Sequence, residues 1–342
     1  MGDPLALVPE RQRGLLRPAA VPDRPQAMTA TLTTSYFSDP RWLYERKLDG
    51  QRVLAVRAGG AARLVSRTGR DLTATYPELA EAVAARGAAD LAADGEVVAF
   101  EGGRTSFARL QQRIGLTSAR RARASGVAVY YYLFDLTYLD GYDLTRLPLR
   151  TRKSLLRVAL DWGTPLRYTQ HRNADGEAYF ATACERGWEG VIAKRGDSGY
   201  RAKRSHDWLK FKCVTGQELV IGGFTPPRGA RTGFGALLVG YYDAGRLRYA
   251  GKVGTGFDDR TLRRLRAGLD AIARATSPFD TEVGEREAHW VRPELVAEVG
   301  FTEWTVDGKL RHPRFQGLRD DKAAHDVVRE DPRPGTDSSG GR

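Results

Sequence analysis

Residues 44–52 read YERKLDGQR, and the lysine at position 47 raises the question that organises the chain. Nine lysines stand against forty-five arginines among the 54 basic residues, so positive charge alone is normally supplied here by arginine. Arginine stays protonated, whereas a lysine amine can lose its proton and act as a nucleophile. At the ordinary pKa near 10.4, only about one lysine in 2,500 is neutral at pH 7, a handicap of roughly 4.6 kcal/mol. A nucleophilic Lys47 therefore needs burial or cationic neighbours. Five of the nine lysines (Lys47, Lys194, Lys210, Lys212 and Lys322) fall inside short charged motifs. Gly50 is placed to let the main chain come close to a ligand.

The composition bounds the class. The chain has 342 residues, a length that suits roughly two domains, with 41% hydrophobic and 28% charged residues. No apolar run of about 18 residues occurs, so no membrane span is expected. The net charge of +12 favours a polyanionic partner, nucleic acid first. Cys184 and Cys213 lack CxxC spacing; that argues against structural zinc and a disulfide framework, and reduced thiols in a cytosolic chain are expected. The five histidines show no HxxxH or HExxH spacing, so nothing supports a metal hydrolase.

Along the chain, residues 1–24 read as a proline-rich lead-in arm. From about 28 the pattern is mixed α and β. Strand-like runs VLAV (53–56), LVS (64–66), VVAF (97–100), VYYYLFDL (129–136) and GVIAK (190–194) alternate with helical stretches PELAEAVAARG, TRKSLLRVAL and DGEAYFATACERG. After FKCV (211–214) the texture changes to ELVIGGF, GALLVGYYD and LRYAGKVG, separated by glycine-rich turns. The stretch DDRTLRRLRAGLDAIAR follows, with Leu262, Leu265, Leu269 and Ile272 on one helical face. LVAEVGFTEWT reads as a further strand. Several short strands interrupted by one helix suit a small barrel of OB type. The expected organisation is α+β: an arm (1–24), a first domain (25–214), a β-barrel domain (215–328) and a disordered tail (329–342).

Downstream of KLDG come, in order, SRTGR (66–70), DGEVVAF (94–100), YYYLFDLTYLDG (130–141), EGVIAKR (189–195), WLKFKC (208–213) and RHPRFQGLRDDK (311–322). Each is weak alone; as an ordered series they resemble the motifs of covalent nucleotidyltransferases, the DNA ligases, RNA ligases and capping enzymes. Within that superfamily the sequence is most similar to bacterial ATP-dependent DNA ligases of the stand-alone C type and to the ligase domain of ligase D. The resemblance spans about residues 28–325. It implies an adenylating nucleotidyltransferase domain of antiparallel sheets flanked by helices, followed by an OB-fold domain.

By the same resemblance, Lys47 is the catalytic nucleophile that attacks the α-phosphorus of ATP and becomes a lysyl-AMP. ATP-binding positions are Glu45, Arg52, Arg67, Glu96, Phe134 (stacking on adenine), Lys194, Lys210 and Lys212. Glu96 and Glu189 are the carboxylates for Mg²⁺ or Mn²⁺. Arg319, Asp321 and Lys322 orient the pyrophosphate leaving group. The chemistry of these residue types agrees: phosphoryl transfer demands neutralisation of phosphate charge, carboxylate oxygens suit hard divalent cations, and lysines two apart on a strand share a face. On residue type alone, Phe134 and Trp208 also read as core aromatics. The implied activity is sealing of 5′-phosphate/3′-hydroxyl nicks in duplex DNA by a monomer in the bacterial cytoplasm, at the nucleoid, with DNA repair or end-joining proteins as partners. The alternatives are an RNA ligase or capping enzyme, and a non-enzymatic single-strand-binding OB protein.

Overall fold

The computed structural model describes residues 4–330, apart from 88, 214–215, 228, 230–231, 286 and 320–321. The chain divides into two compact units, one running through Cys213 and the other beginning directly after it. Asp321 and residues 331–342 of the expected tail lie outside the described residues.

The first unit is built on two sheets. Its principal strands are β1 (Thr29–Leu32), β2 (Trp42–Lys47), β3 (Gln51–Ala58), β4 (Ala61–Ser66), β5 (Leu91–Val98), β6 (Tyr130–Leu139), β7 (Leu166–Tyr168), β8 (His171–Asn173), β9 (Gly190–Arg195) and β10 (Arg204–Lys212). Three helices matter for the site: α1 (Pro77–Ala85), α2 (Leu149–Ala159) and α3 (Gly176–Glu185). The larger sheet runs β6-β5-β3-β4, with β7 parallel to β6 and two short strands, Tyr142–Asp143 and Arg17–Pro18, on its edge. The smaller sheet runs β8-β2-β9-β10-β1.

Alternation along the strands gives each sheet an apolar back and a polar front. Behind the larger sheet, Val53, Ala55, Ala93, Val97, Tyr131 and Leu133 pack on Leu79 and Val83 of α1 and on Leu155 and Leu156 of α2. Behind the smaller sheet, Tyr44, Val191, Ala193 and Phe211 pack on Ala183 of α3. Residues 4–18, read above as part of an arm, lie on the first unit: Val8 is buried in its core, and Arg17–Pro18 extend the sheet. The Gly50 of KLDG serves packing. A Cβ there would stand 2.3 Å from the Val97 carbonyl oxygen, so the β2–β3 turn can lie against β5 only with glycine.

The second unit contains β11 (Gly216–Phe224), β12 (Leu237–Asp243), β13 (Arg246–Val253), α4 (Asp259–Ala271), β14 (His289–Val291), β15 (Val296–Gly300) and β16 (Arg314–Leu318). β11 is central, pairing with β12, β14 and β15, while β13 and β16 extend the two sides. The expected barrel seam is one isolated bridge, Thr255 with Arg314, and no continuous ladder closes it among the described residues. α4 carries the predicted stripe: Leu262, Leu265 and Leu269 enter the core with Ile221, Val239 and Val253. The Asp258 carboxylate caps the helix by accepting from the Thr261 N–H at 2.7 Å. The strand expected over LVAEVGFTEWT is shorter, ending at Gly300. Among the described residues, no helix is long and apolar enough to cross a membrane.

The expectation of reduced thiols is overturned. Cys184 on α3 and Cys213, just past β10, form a disulfide, with Cα atoms 5.2 Å apart. α3 packs behind the strands that lead to Cys213, so residues 29 apart in sequence converge, which CxxC spacing could not reveal. In the unreduced native chain neither thiol should react with alkylating reagent, and reduction should lower stability by about 3 kcal/mol through loop-closure entropy. Two alkylated cysteines in the folded, unreduced protein would contradict the bond.

A candidate nucleotide site between the two sheets

The register of the smaller sheet assembles one wall. Opposite residues in antiparallel pairs share a face. Lys47 on β2 stands opposite Gly190 on β9, which stands opposite Lys212 on β10. Two residues along, Glu45 faces Ile192, and Ile192 faces Lys210; on the other side of Glu45 is His171 of β8. One step further, Lys194 stands opposite Trp208. Gly190 permits this close pairing, since a Cβ there would meet the Phe211 carbonyl oxygen at 1.9 Å.

The larger sheet supplies the other wall. Arg52, Glu96 and Tyr132 stand in line across β3, β5 and β6, and Phe134 follows Tyr132 on the same face. The walls meet at an aromatic slot. The Lys194 ammonium lies 3.9 Å from the Phe134 ring centre and 4.1 Å from that of Trp208, and the Arg52 guanidinium lies 4.6 Å over Phe134. Phe134 and Trp208 also pack with Met28 and Tyr200, so the core reading of both rings holds alongside their place at the slot.

Lys47 is mostly buried, and its Nζ touches Oε1 of Glu189. The other carboxylate oxygen of Glu189 is buried and has no hydrogen-bond partner among the described residues. A carboxylate oxygen without a donor is a suitable ligand for a hard divalent cation. Among the described residues no cluster of three acidic, His or Cys side chains forms a prebuilt cage. Glu96 is half-buried opposite Arg52 on the facing sheet.

Glu45 is the buried hub. Its Oε1 accepts from Lys153 Nζ at 2.5 Å, and its Oε2 lies 2.6 Å from Lys194 Nζ. Burial alone would raise the Glu45 carboxyl, but Lys153 and Lys194 outweigh it and hold it below the usual range. Burial pushes the Lys194 ammonium down to about 8, with Lys153 adding to the push and Glu45 opposing it. Lys153 comes from α2 and also donates to the Thr169 carbonyl at 3.0 Å. Its neighbour Arg152 grips Asp135 with two bonds of 2.7 and 2.9 Å, which fixes the helix to the strand bearing Phe134.

Arg52 is locked in a two-point pair with Asp94, at 2.5 and 2.6 Å, and donates to the Met28 carbonyl at 3.0 Å. The Tyr200 hydroxyl donates to the same Asp94 at 2.6 Å. Arg67 sits half-buried just beyond β4. Of the remaining predicted positions, Arg319 and Lys322 belong to the second unit, where they gather around Glu218 and Glu298. The residues not singled out from sequence are Lys153, His171, Asp94, Tyr200, Glu218 and Glu298. Lys153 left a signal: it is a lysine inside an arginine-rich helix of a chain that otherwise spends lysine sparingly.

His171 gives a pH test. Burial, reinforced by the Lys153 ammonium, pushes its imidazole down to about 4 from an ordinary 6.5. The unfolded chain takes up that proton near pH 6.5 and the folded one only near 4, so acidification through this window favours unfolding. After discounting for partial exposure, the loss is about 1–2 kcal/mol. His171→Gln should flatten the fall in the denaturant midpoint between pH 6.5 and 4; an unchanged slope would contradict the assignment.

Comparison with known proteins gives the chain relatives. Residues 26–212 match the family model described as ATP dependent DNA ligase domain, and residues 230–322 match ATP dependent DNA ligase C terminal region. The multifunctional non-homologous end joining protein LigD of Pseudomonas aeruginosa is 39% identical over 90% of this chain, and its Mycobacterium bovis counterpart is 40% identical over 87%. The chain spans only 37% and 39% of those two proteins. A solved structure of mycobacterial DNA ligase D complexed with ATP and MES superposes with a TM-score of 0.63 at 37% identity, covering 89% of this chain and 98% of that one.

Proposed function

The chain belongs to the ATP-dependent DNA ligases, and from that premise we propose that it seals 5′-phosphate/3′-hydroxyl nicks in duplex DNA through a lysyl-AMP on Lys47. The observation that carries the proposal is the wall on which Lys47, Lys210 and Lys212 share one face of one sheet, with Glu189, one residue before β9, reaching the Lys47 amine. A lysine amine, two further ammonium groups and a carboxylate with an unpartnered oxygen are the parts an attack on a phosphate requires. ATP complexed with the mycobacterial ligase D structure supports the same nucleotide here.

The steps follow from the groups present. Lys47 loses a proton, and its nitrogen forms a bond to the α-phosphorus as the bond to the pyrophosphate oxygen breaks. Lys210 and Lys212 bind the α-phosphate oxygens and offset the charge that builds there. Phe134 offers a ring face to the adenine, a place that the Lys194 ammonium fills in this structure. Glu189 and Glu96 would hold the Mg²⁺ or Mn²⁺, which supplies charge neutralisation on the phosphates. Arg319 and Lys322 of the second unit orient the pyrophosphate. The AMP then passes from Lys47 to the 5′-phosphate of the nick, and the 3′-hydroxyl displaces it to form the phosphodiester.

Exposed cations along 119–124, where Arg120 and Arg121 stand on a short helix, and along 201–204 suit contacts with the DNA backbone. End-joining proteins are the partners that the LigD relatives suggest. Replacing Lys47 with arginine keeps the charge and removes the usable amine. Lys47→Arg should lower sealing of a nicked duplex by more than about 1,000-fold, on the scale seen when a covalent nucleophile is lost. Sealing at the wild-type rate would overturn the proposal.

A further inference from the structure

The second unit holds two largely buried carboxylates, Glu218 and Glu298, to which the ligation chemistry above gives no role. The register of β11 with β15 sets Glu218 directly opposite Glu298, so both carboxylates leave the same face of the sheet. Their side chains are only 17% and 11% exposed. Like charges directly opposed across a strand pair are destabilising, the more so when screened from water. Two cations answer them. Lys322 Nζ lies 2.7 Å from Glu218 Oε1, and Arg319 Nη1 lies 3.4 Å from Glu298 Oε2 and 3.9 Å from that same Glu218 oxygen.

The main chain of the motif is tied to the sheet as well. The Arg319 N–H donates to the Val296 carbonyl at 2.7 Å, one residue beyond the end of β16. Long cationic side chains are normally free to sample many rotamers, and ordering them is costly. Here Glu218 holds the Lys322 head and Glu298 the Arg319 head, and because the two carboxylates stand directly opposite each other the two cations are kept near one another.

A barrel needs no carboxylates for its own sake at these positions. Two residues along on the same face, Val220 stands opposite Val296, and both are buried in an apolar cluster with Leu238 and Phe279. The face changes from valine to glutamate where Arg319 and Lys322 arrive. We propose that Glu218 and Glu298 are positioning residues for the adenylation of Lys47: they hold Arg319 and Lys322 convergent, so that both cations meet one departing pyrophosphate. This rests on the ligase reading above.

The pyrophosphate is present when Lys47 reacts with ATP and absent when an already adenylated nick is sealed, so the two steps separate a positioning role from a merely structural one. Glu218→Gln and Glu298→Gln should each slow formation of the Lys47 adduct from ATP by about 10- to 100-fold, the scale of a small misplacement of charged groups. Sealing of a pre-adenylated nick without ATP should stay within about twofold of wild type. Glu218→Asp, which keeps the charge, should recover most of the adenylation rate. Loss of both steps together, or of neither, overturns the proposal. A wild-type chain that takes up no AMP overturns the ligase reading itself, whereas a wild-type chain that does, matched by Glu218→Gln, overturns only the positioning role.

Discussion

The antiparallel register joining β2, β9 and β10 is the constraint on which the first unit's chemistry depends. Because opposite residues share a face, one alignment puts Lys47, Glu45, Lys194, Lys210 and Lys212 on the same wall. A slip by one residue would turn that whole set toward the apolar layer under α3 and bring Tyr44, Val191 and Phe211 into the cleft. The hydrophobic layer and the reactive layer therefore fix each other. Gly190 allows the register, since any side chain at that position would collide with the neighbouring strand.

A wall crowded with cations needs counter-charge, and the fold provides it in separate pairs. Glu45 takes Lys153 and Lys194, Asp94 takes Arg52, Asp135 takes Arg152, and Glu189 takes Lys47. Buried pairs of this kind are weak evidence for stability, because desolvation offsets much of the attraction, but removing one partner is costly. Their visible effect is geometric: they fix where each cation stands. Phosphate oxygens of a bound nucleotide would compete for Lys47 and Lys194, exchanging one set of carboxylate contacts for another set of anionic oxygens.

Much of this was legible in the sequence because it is local. The i, i+2 spacing of Lys210 and Lys212 needs only a strand to put both on one face, and the leucines of α4 need only a helix. The scarcity of lysine singled out Lys47 without any alignment. Contacts between distant segments were not legible. Glu45 meets Lys153 across 108 residues, and nothing near either one announces the other. Cys184 and Cys213 pair only because α3 packs behind the β10 sheet. Glu218 sits in a strand that reads as ordinary barrel, and its significance appears only once β15 places Glu298 across from it. Gly50 was read as room for a ligand, whereas its neighbour is the Val97 carbonyl.

The proposed chemistry requires covalent attachment at one nitrogen. The most direct measurement is peptide mass mapping after the folded chain has been incubated with ATP and a divalent cation. One AMP is expected, carried by the peptide containing Lys47 and removed when pyrophosphate is added. An adduct on a different residue, or a folded chain that acquires none, would contradict it.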